Sequence, residues 1–189
     1  MTAVLPEVFM DLAAAERAAA FLSALGVPGP ADTPGRMARA YAELLSPRSF
    51  DLTTFANDEG YDELVLARDI PVRSVCEHHM LPFVGVAHVG YLPDERILGL
   101  SKLARVVELY AHRPQVQERL TTQVADWLDE RLSPKGVGVV LEAEHLCMTL
   151  RGAQARGART TTSSLSGLLR EDGRTRQEFL ALARAGRGE

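Results

Sequence analysis

Both cysteines of this 189-residue chain stand beside histidines: Cys76 precedes His78 and His79, and Cys147 follows His145. Three of the five histidines thus lie within three residues of a thiol. If these two distant stretches share a task, the fold has to bring them together. Histidine beside cysteine points to a metal site rather than to inert core thiols, and a reducing compartment disfavours a disulfide between the two. Cys76 and His79 are three apart, which puts thiolate and imidazole on one side of a tight turn and sends His78 elsewhere. A regular strand would instead pair Cys76 with His78. Pro82 and the polar residues before it favour the turn.

The other half of the pattern lies in Gly136–Arg151, which reads as a strand. With a period of two, His145, Cys147 and Arg151 share one face, and Glu144, Leu146 and Met148 the other. Cys76, His79 and Cys147 then offer zinc three ligands, the number expected of a catalytic ion with an open fourth position for water. His78 or His145 as a fourth ligand would close the site into a structural one. Spacing alone leaves both readings open.

Around these stretches the chain alternates between helical and extended patterns. Glu7–Leu25 is rich in Ala and Leu and stops at Gly26-Val27-Pro28-Gly29-Pro30. Thr33 reads as the N-cap of a second helix with Pro34 at its first position, and Met37, Tyr41, Leu44 and Leu45 fall at helical spacing. Ser46–Glu63 reads as a polar loop, and Asp69–Cys76 and Val84–Leu92 as strands. A helix opens at Ser101 with Leu103, Val106, Val107 and Tyr110 on one face, and a longer one follows Arg113-Pro114 with Val116, Leu120, Val124, Trp127 and Leu128. Thr160–Leu169 reads as a further strand and Arg174–Arg184 as a closing helix. Strands around helices without a βαβ rhythm predict an α+β fold with an antiparallel sheet. The division expected is an N-terminal helical segment over residues 1–48 and a main domain over 49–189.

A net charge of −4 excludes a global basic field for nucleic acid or an anionic membrane. The Ala-rich stretch Ala13–Leu25 is too short to span a bilayer, and Met1–Met10 lacks the basic residues of a secretory leader. The expected compartment is the cytoplasm. An anionic ligand therefore needs a local cluster. Ser101, Lys102 and Arg105 open a helix whose free N–H groups attract anions, and Arg151, Arg36 and Arg39 could extend that cluster towards a triphosphate. A solvated helix face explains Lys102 and Arg105 equally well. Glu118 could accept from the N1–H and 2-amino edge of guanine, or simply complement its helix dipole.

Taken together, four runs resemble GTP cyclohydrolase I: Val75-Cys76-Glu77-His78-His79, Gly99–Arg105, Arg113–Thr121, and Glu144–Met148 followed by Arg151-Gly152. Each run is weak alone, but all four in this order and spacing are specific. The resemblance covers roughly Asp32 to Arg184. It implies the tunnelling fold, an antiparallel sheet with helices on one side, assembled as a homodecamer with active sites between subunits. It implies zinc on Cys76, His79 and Cys147, and His78 and His145 as catalytic histidines. Ser101, Lys102, Arg105 and Arg151, with Arg36 and Arg39 added, would contact the ribose and triphosphate of GTP. Gln117 and Glu118 would read the guanine. The activity implied is hydrolytic opening of the guanine ring, with loss of formate and formation of 7,8-dihydroneopterin triphosphate.

Overall fold

The structure, a computed structural model, describes residues 12–27 and 29–185. The expected first helix before Leu12, and Pro28 in its breaker, lie outside the described residues. α1 (Leu12–Ala24) and α2 (Thr33–Leu44) pack on each other as an N-terminal helical arm. Asp32, rather than Thr33, holds the cap position of α2. Pro34 sits in its first turn, where a missing N–H costs nothing.

The polar stretch after the arm is not all loop, because it holds β1 (Thr54–Ala56). β2 (Val65–Cys76) and β3 (Pro82–Leu92) are a long antiparallel pair, with a register shift between Ala67 and Ile70 where Asp69 takes a φ of 54°. That bulge is why the strand extends further back than its apolar alternation suggests. β4 (Arg96–Leu98) returns to pair with β1 as a separate two-stranded sheet. α3 (Ser101–Ala111) leads through β5 (Pro114–Gln115) into α4 (Gln117–Leu132). β6 (Gly136–His145), α5 (Leu146–Thr149), β7 (Thr160–Gly167), α6 (Leu168–Glu171) and α7 (Gly173–Arg184) complete the chain.

The main sheet has five strands in the order β5-β2-β3-β6-β7. All its pairs are antiparallel except β5 on β2, a two-residue parallel contact of Val75 with Pro114 and Cys76 with Gln115. This small exception sets the start of α4 against the end of β2. Alternation along β6 turns Val137, Val139, Leu141 and Ala143 towards Leu103, Val106 and Val107 of α3 and Leu120, Val124 and Leu128 of α4, all buried in one core. α3 and α4 thus cover one side of the sheet, while α7 packs on the other. Gly138 and Val140 face the other way, where Phe179 of α7 and Leu169 close a smaller cluster.

Two glycines permit these close approaches. A Cβ on Gly138 would lie 2.8 Å from the Phe179 ring, and one on Gly85 would lie 2.0 Å from the Glu142 carbonyl oxygen on the neighbouring strand. Gly173, by contrast, has open space around it. Gly85→Ala is expected to destabilise by about 1–3 kcal/mol, the usual cost of overpacking. Gly173→Ala should leave the thermal unfolding midpoint essentially unmoved. Equal midpoints for the two variants would contradict the packing of β3 on β6 described here.

Candidate metal and nucleotide site

Cys76 ends β2, and the chain turns at once. The N–H groups of His79 and Met80 donate to the Cys76 carbonyl at 3.3 and 2.8 Å, and the Cys76 N–H donates to the Leu81 carbonyl at 2.8 Å. Met80 accepts a φ of 53° to close the turn. Tyr41 of the arm donates its hydroxyl hydrogen to the Met80 carbonyl at 2.9 Å, which ties α2 to this turn. The result is the turn geometry of C-x-x-H: His79 Nδ1 lies 3.8 Å from Cys76 Sγ. His78 Nδ1 lies 4.0 Å from the same sulfur, but the side chain is 63% exposed and its Nε2 is 3.8 Å from Glu77.

Cys147 reaches the site by a different route from the one its sequence suggests. β3 pairs with β6 as far as His145, and β7 pairs with it only as far as Ala143. No strand partner remains beyond His145, so the chain coils into α5, where the Leu150 N–H donates to the Leu146 carbonyl. His145, Cys147 and Arg151 therefore do not alternate along one strand face. The helical turn still delivers the thiol. The donor atoms of Cys76, His79 and Cys147 lie within 4.8 Å of one another, the one such trio of histidine, cysteine and acidic groups among the described residues.

These donors fit zinc. Bonds of about 2.0–2.3 Å in tetrahedral geometry place ligand atoms roughly 3.3–3.8 Å apart, so only a slight contraction is needed. Electrostatics agrees with the fit. Burial pushes the Cys147 thiol above its ordinary range, and the neighbouring Cys76 thiol pushes it further, with Arg151 opposing. Two adjacent thiols in such surroundings ionise together when a divalent cation stands between them.

The turn is braced from α4. Arg119 forms an ion pair with Glu77, which holds that carboxyl below its usual range, and donates to Gln115 Oε1 at 2.8 Å. Gln115, buried, donates in turn to the Tyr110 carbonyl and to Gln123. Sequence reasoning missed this brace, although Gln115, Arg119 and Gln123 recur at four-residue spacing.

Beside the trio, His145 lies flat on Phe83, with 4.6 Å between ring centroids and 9° between planes. Burial holds its pKa below the ordinary histidine value, with Glu118 acting in the opposite sense. Glu118 is exposed at the start of α4, and Arg151 is exposed beyond α5. Gln117, expected to read a base beside Glu118, is buried instead, and its amide is spent within the protein.

The remaining cations form separate groups. Leu100 rather than Ser101 occupies the cap of α3, so Ser101 is the first helical residue and is exposed. Lys102 Nζ lies 5.8 Å from the Phe50 ring, which leans on Trp127. Arg105 donates to Glu108 at 3.1 Å, and Arg48, absent from the sequence expectations, takes the other oxygen of that carboxylate at 2.5 Å. Arg36 pairs with Asp32, and Arg39 is exposed on the same helix. Lys102 and Arg105 thus lean on Phe50 and Glu108.

Comparison with known proteins extends over nearly the whole of this architecture. The family model for GTP cyclohydrolase I matches residues 16–184. GTP cyclohydrolase 1 of Aquifex aeolicus is 53% identical over 153 residues, covering 81% of this chain and 83% of the relative. The enzyme of that name from Thermobifida fusca is 57% identical over 159 residues, covering 82% and 77%, and that of Streptomyces avermitilis is 57% identical, covering 82% and 79%. A solved structure, the apo archaeosine synthase QueF-Like, overlaps 55% of the chain at 19% identity with a TM-score of 0.46, too loose a likeness to bear on the site. By the family match and by identity over four-fifths of its length, the chain belongs to the GTP cyclohydrolase I family.

Proposed function

We propose that this chain hydrolyses the guanine ring of GTP at the Cys76–His79–Cys147 centre, releasing formate and yielding 7,8-dihydroneopterin triphosphate for folate or another pterin. The observation that carries the reading is the convergence of those three donors beside His145 and His78, in a chain of this family. Zinc, held by the two thiolates and the His79 imidazole, would supply the Lewis acidity that makes water nucleophilic near neutral pH. His78, exposed on the turn, hands a proton to the ring nitrogen as the bond to C8 breaks. His145 moves protons at the ribose ring oxygen in the rearrangement that follows. Glu118 accepts from the guanine N1–H and 2-amino group, so a base without them leaves the carboxylate unpaired.

Ser101, Lys102, Arg105 and Arg151, with Arg36 and Arg39, hold the ribose and triphosphate. The exposed ion pairs of Arg36 and Arg105 are worth only about 0–1 kcal/mol, so a polyanion displaces them readily. Since the family resemblance implies active sites between subunits, we assign the complete site to adjoining copies, in a homodecamer. Exposed Leu100, Leu150, Met148 and Val84 supply apolar surface for that assembly. Among the described residues no helix is long and apolar enough to cross a membrane. Two reduced thiols suit a cytoplasmic setting.

Zinc-loaded protein incubated with GTP is expected to release formate in step with a pterin that fluoresces after oxidation. GTP bound without formate would leave a nucleotide-binding oligomer instead.

Cys147→Ala should be purified without its zinc. His78→Ala should keep zinc and bind GTP while turnover falls about 10²–10⁴-fold, the usual contribution of a general acid. Metal-free His78→Ala protein would make His78 the ligand and discard His79. Lys102→Ala should raise KM for GTP far more than for guanosine-like analogues, and Glu118→Gln should lose discrimination against bases lacking the 2-amino group.

A further inference from the structure

We propose that Gln117 is a positioning residue that decides which nitrogen of His145 faces the substrate. The inference rests on the role in proton transfer given to His145 above.

Gln117 opens α4 with only 1% exposure. Its amide nitrogen faces three acceptors: the carbonyls of Leu141 at 3.1 Å and Thr160 at 2.9 Å, and the Thr162 hydroxyl at 3.1 Å. Carbonyl oxygens only accept, so the NH₂ end of the amide has to point at them. A flipped amide would press an oxygen against two carbonyl oxygens in a buried place. The hydroxyl agrees with this order. Thr121 spends its hydrogen on the Gln117 main-chain carbonyl at 2.8 Å, so at the 2.6 Å contact between the two hydroxyls Thr162 is the donor. Thr162 then keeps a lone pair for the Gln117 amide.

With its nitrogen end committed, Gln117 turns Oε1 towards His145 Nε2 at 2.7 Å. That oxygen can only accept, so Nε2 carries the hydrogen, and in the neutral ring the lone pair is left on Nδ1. Phe83, stacked on the ring, holds its plane. Main-chain carbonyls from β6 and from the head of β7 thus specify one tautomer through a single side chain of α4.

The test is a cycle between Gln117 and His145. Gln117→Met keeps the volume and removes the acceptor. Zinc content and GTP binding should stay close to wild type, kcat should fall about 10²-fold, and the accumulating intermediates should match those of His145→Ala. In a His145→Ala background, Gln117→Met should cost no further turnover, since its partner is already gone. If Gln117→Met does not fold, nitrogen NMR of His145 in the wild-type holoenzyme carries the test alone: the hydrogen is expected on Nε2 with the lone pair on Nδ1, and the opposite tautomer would overturn the proposal. So would losses that add in the double variant, or a stall at a different stage from that of His145→Ala. Full turnover in Gln117→Met with loss in His145→Ala sinks this inference alone, whereas full turnover in His145→Ala removes the reading beneath it.

Discussion

The antiparallel register of β3 against β6 is the constraint from which the site follows. It runs from Phe83 opposite His145 to Leu92 opposite Gly136. One end of that ladder lies just past the Cys76 turn, and its partner end is where β6 becomes α5. The register therefore delivers Cys147 to Cys76 and lays His145 on Phe83 in one stroke. A slip by one residue would turn Val137, Val139, Leu141 and Ala143 out of the core, so the core itself enforces the register. Gly85 and Ala143, small residues facing each other near that end, let the strands approach closely.

What the register brings together is costly without a cation. The Cys147 thiol, buried and set beside the Cys76 sulfur, resists ionising, and the imidazole next to it adds no negative charge to balance a metal. The protein compensates with geometry rather than flexibility. The C-x-x-H turn is tied to β5 and α4 through Glu77, Arg119 and Gln115, and to the arm through Tyr41. The donor set is thus largely arranged before any ion arrives, which lowers the entropy lost when one binds. Gln117 and its threonines do the same for the His145 ring, so the C-x-x-H turn and that imidazole are held by separate networks that meet at α4.

Local pattern carried much of this in the sequence. Helical periodicity located α2, α3 and α4, and the spacing of Cys76 and His79 with Pro82 nearby favoured the turn over a strand. The failures share a cause, since each depends on what a segment packs against. The passage from strand to helix after His145 is decided by where β3 and β7 stop pairing, not by any residue between Gly136 and Arg151. β1, β4 and β5 are too short to show an alternation, and the β2 bulge hides the four strand residues Val65–Arg68. Gln117 looks like an exposed polar residue at a helix start until β7 supplies the acceptors that bury it. Arg48 gives no signal at all without Glu108 beside it in space.

X-ray absorption at the zinc edge of the metal-loaded protein would probe the central claim most directly, because it counts donors by element. Two sulfurs at about 2.3 Å and one imidazole nitrogen near 2.0 Å, with a light oxygen scatterer in the remaining position, are expected. The His78→Ala protein should give the same spectrum, and His79→Ala should lose the imidazole signal or the metal. A first shell with one sulfur, or with two imidazoles in place of one, would contradict a centre built from Cys76, His79 and Cys147.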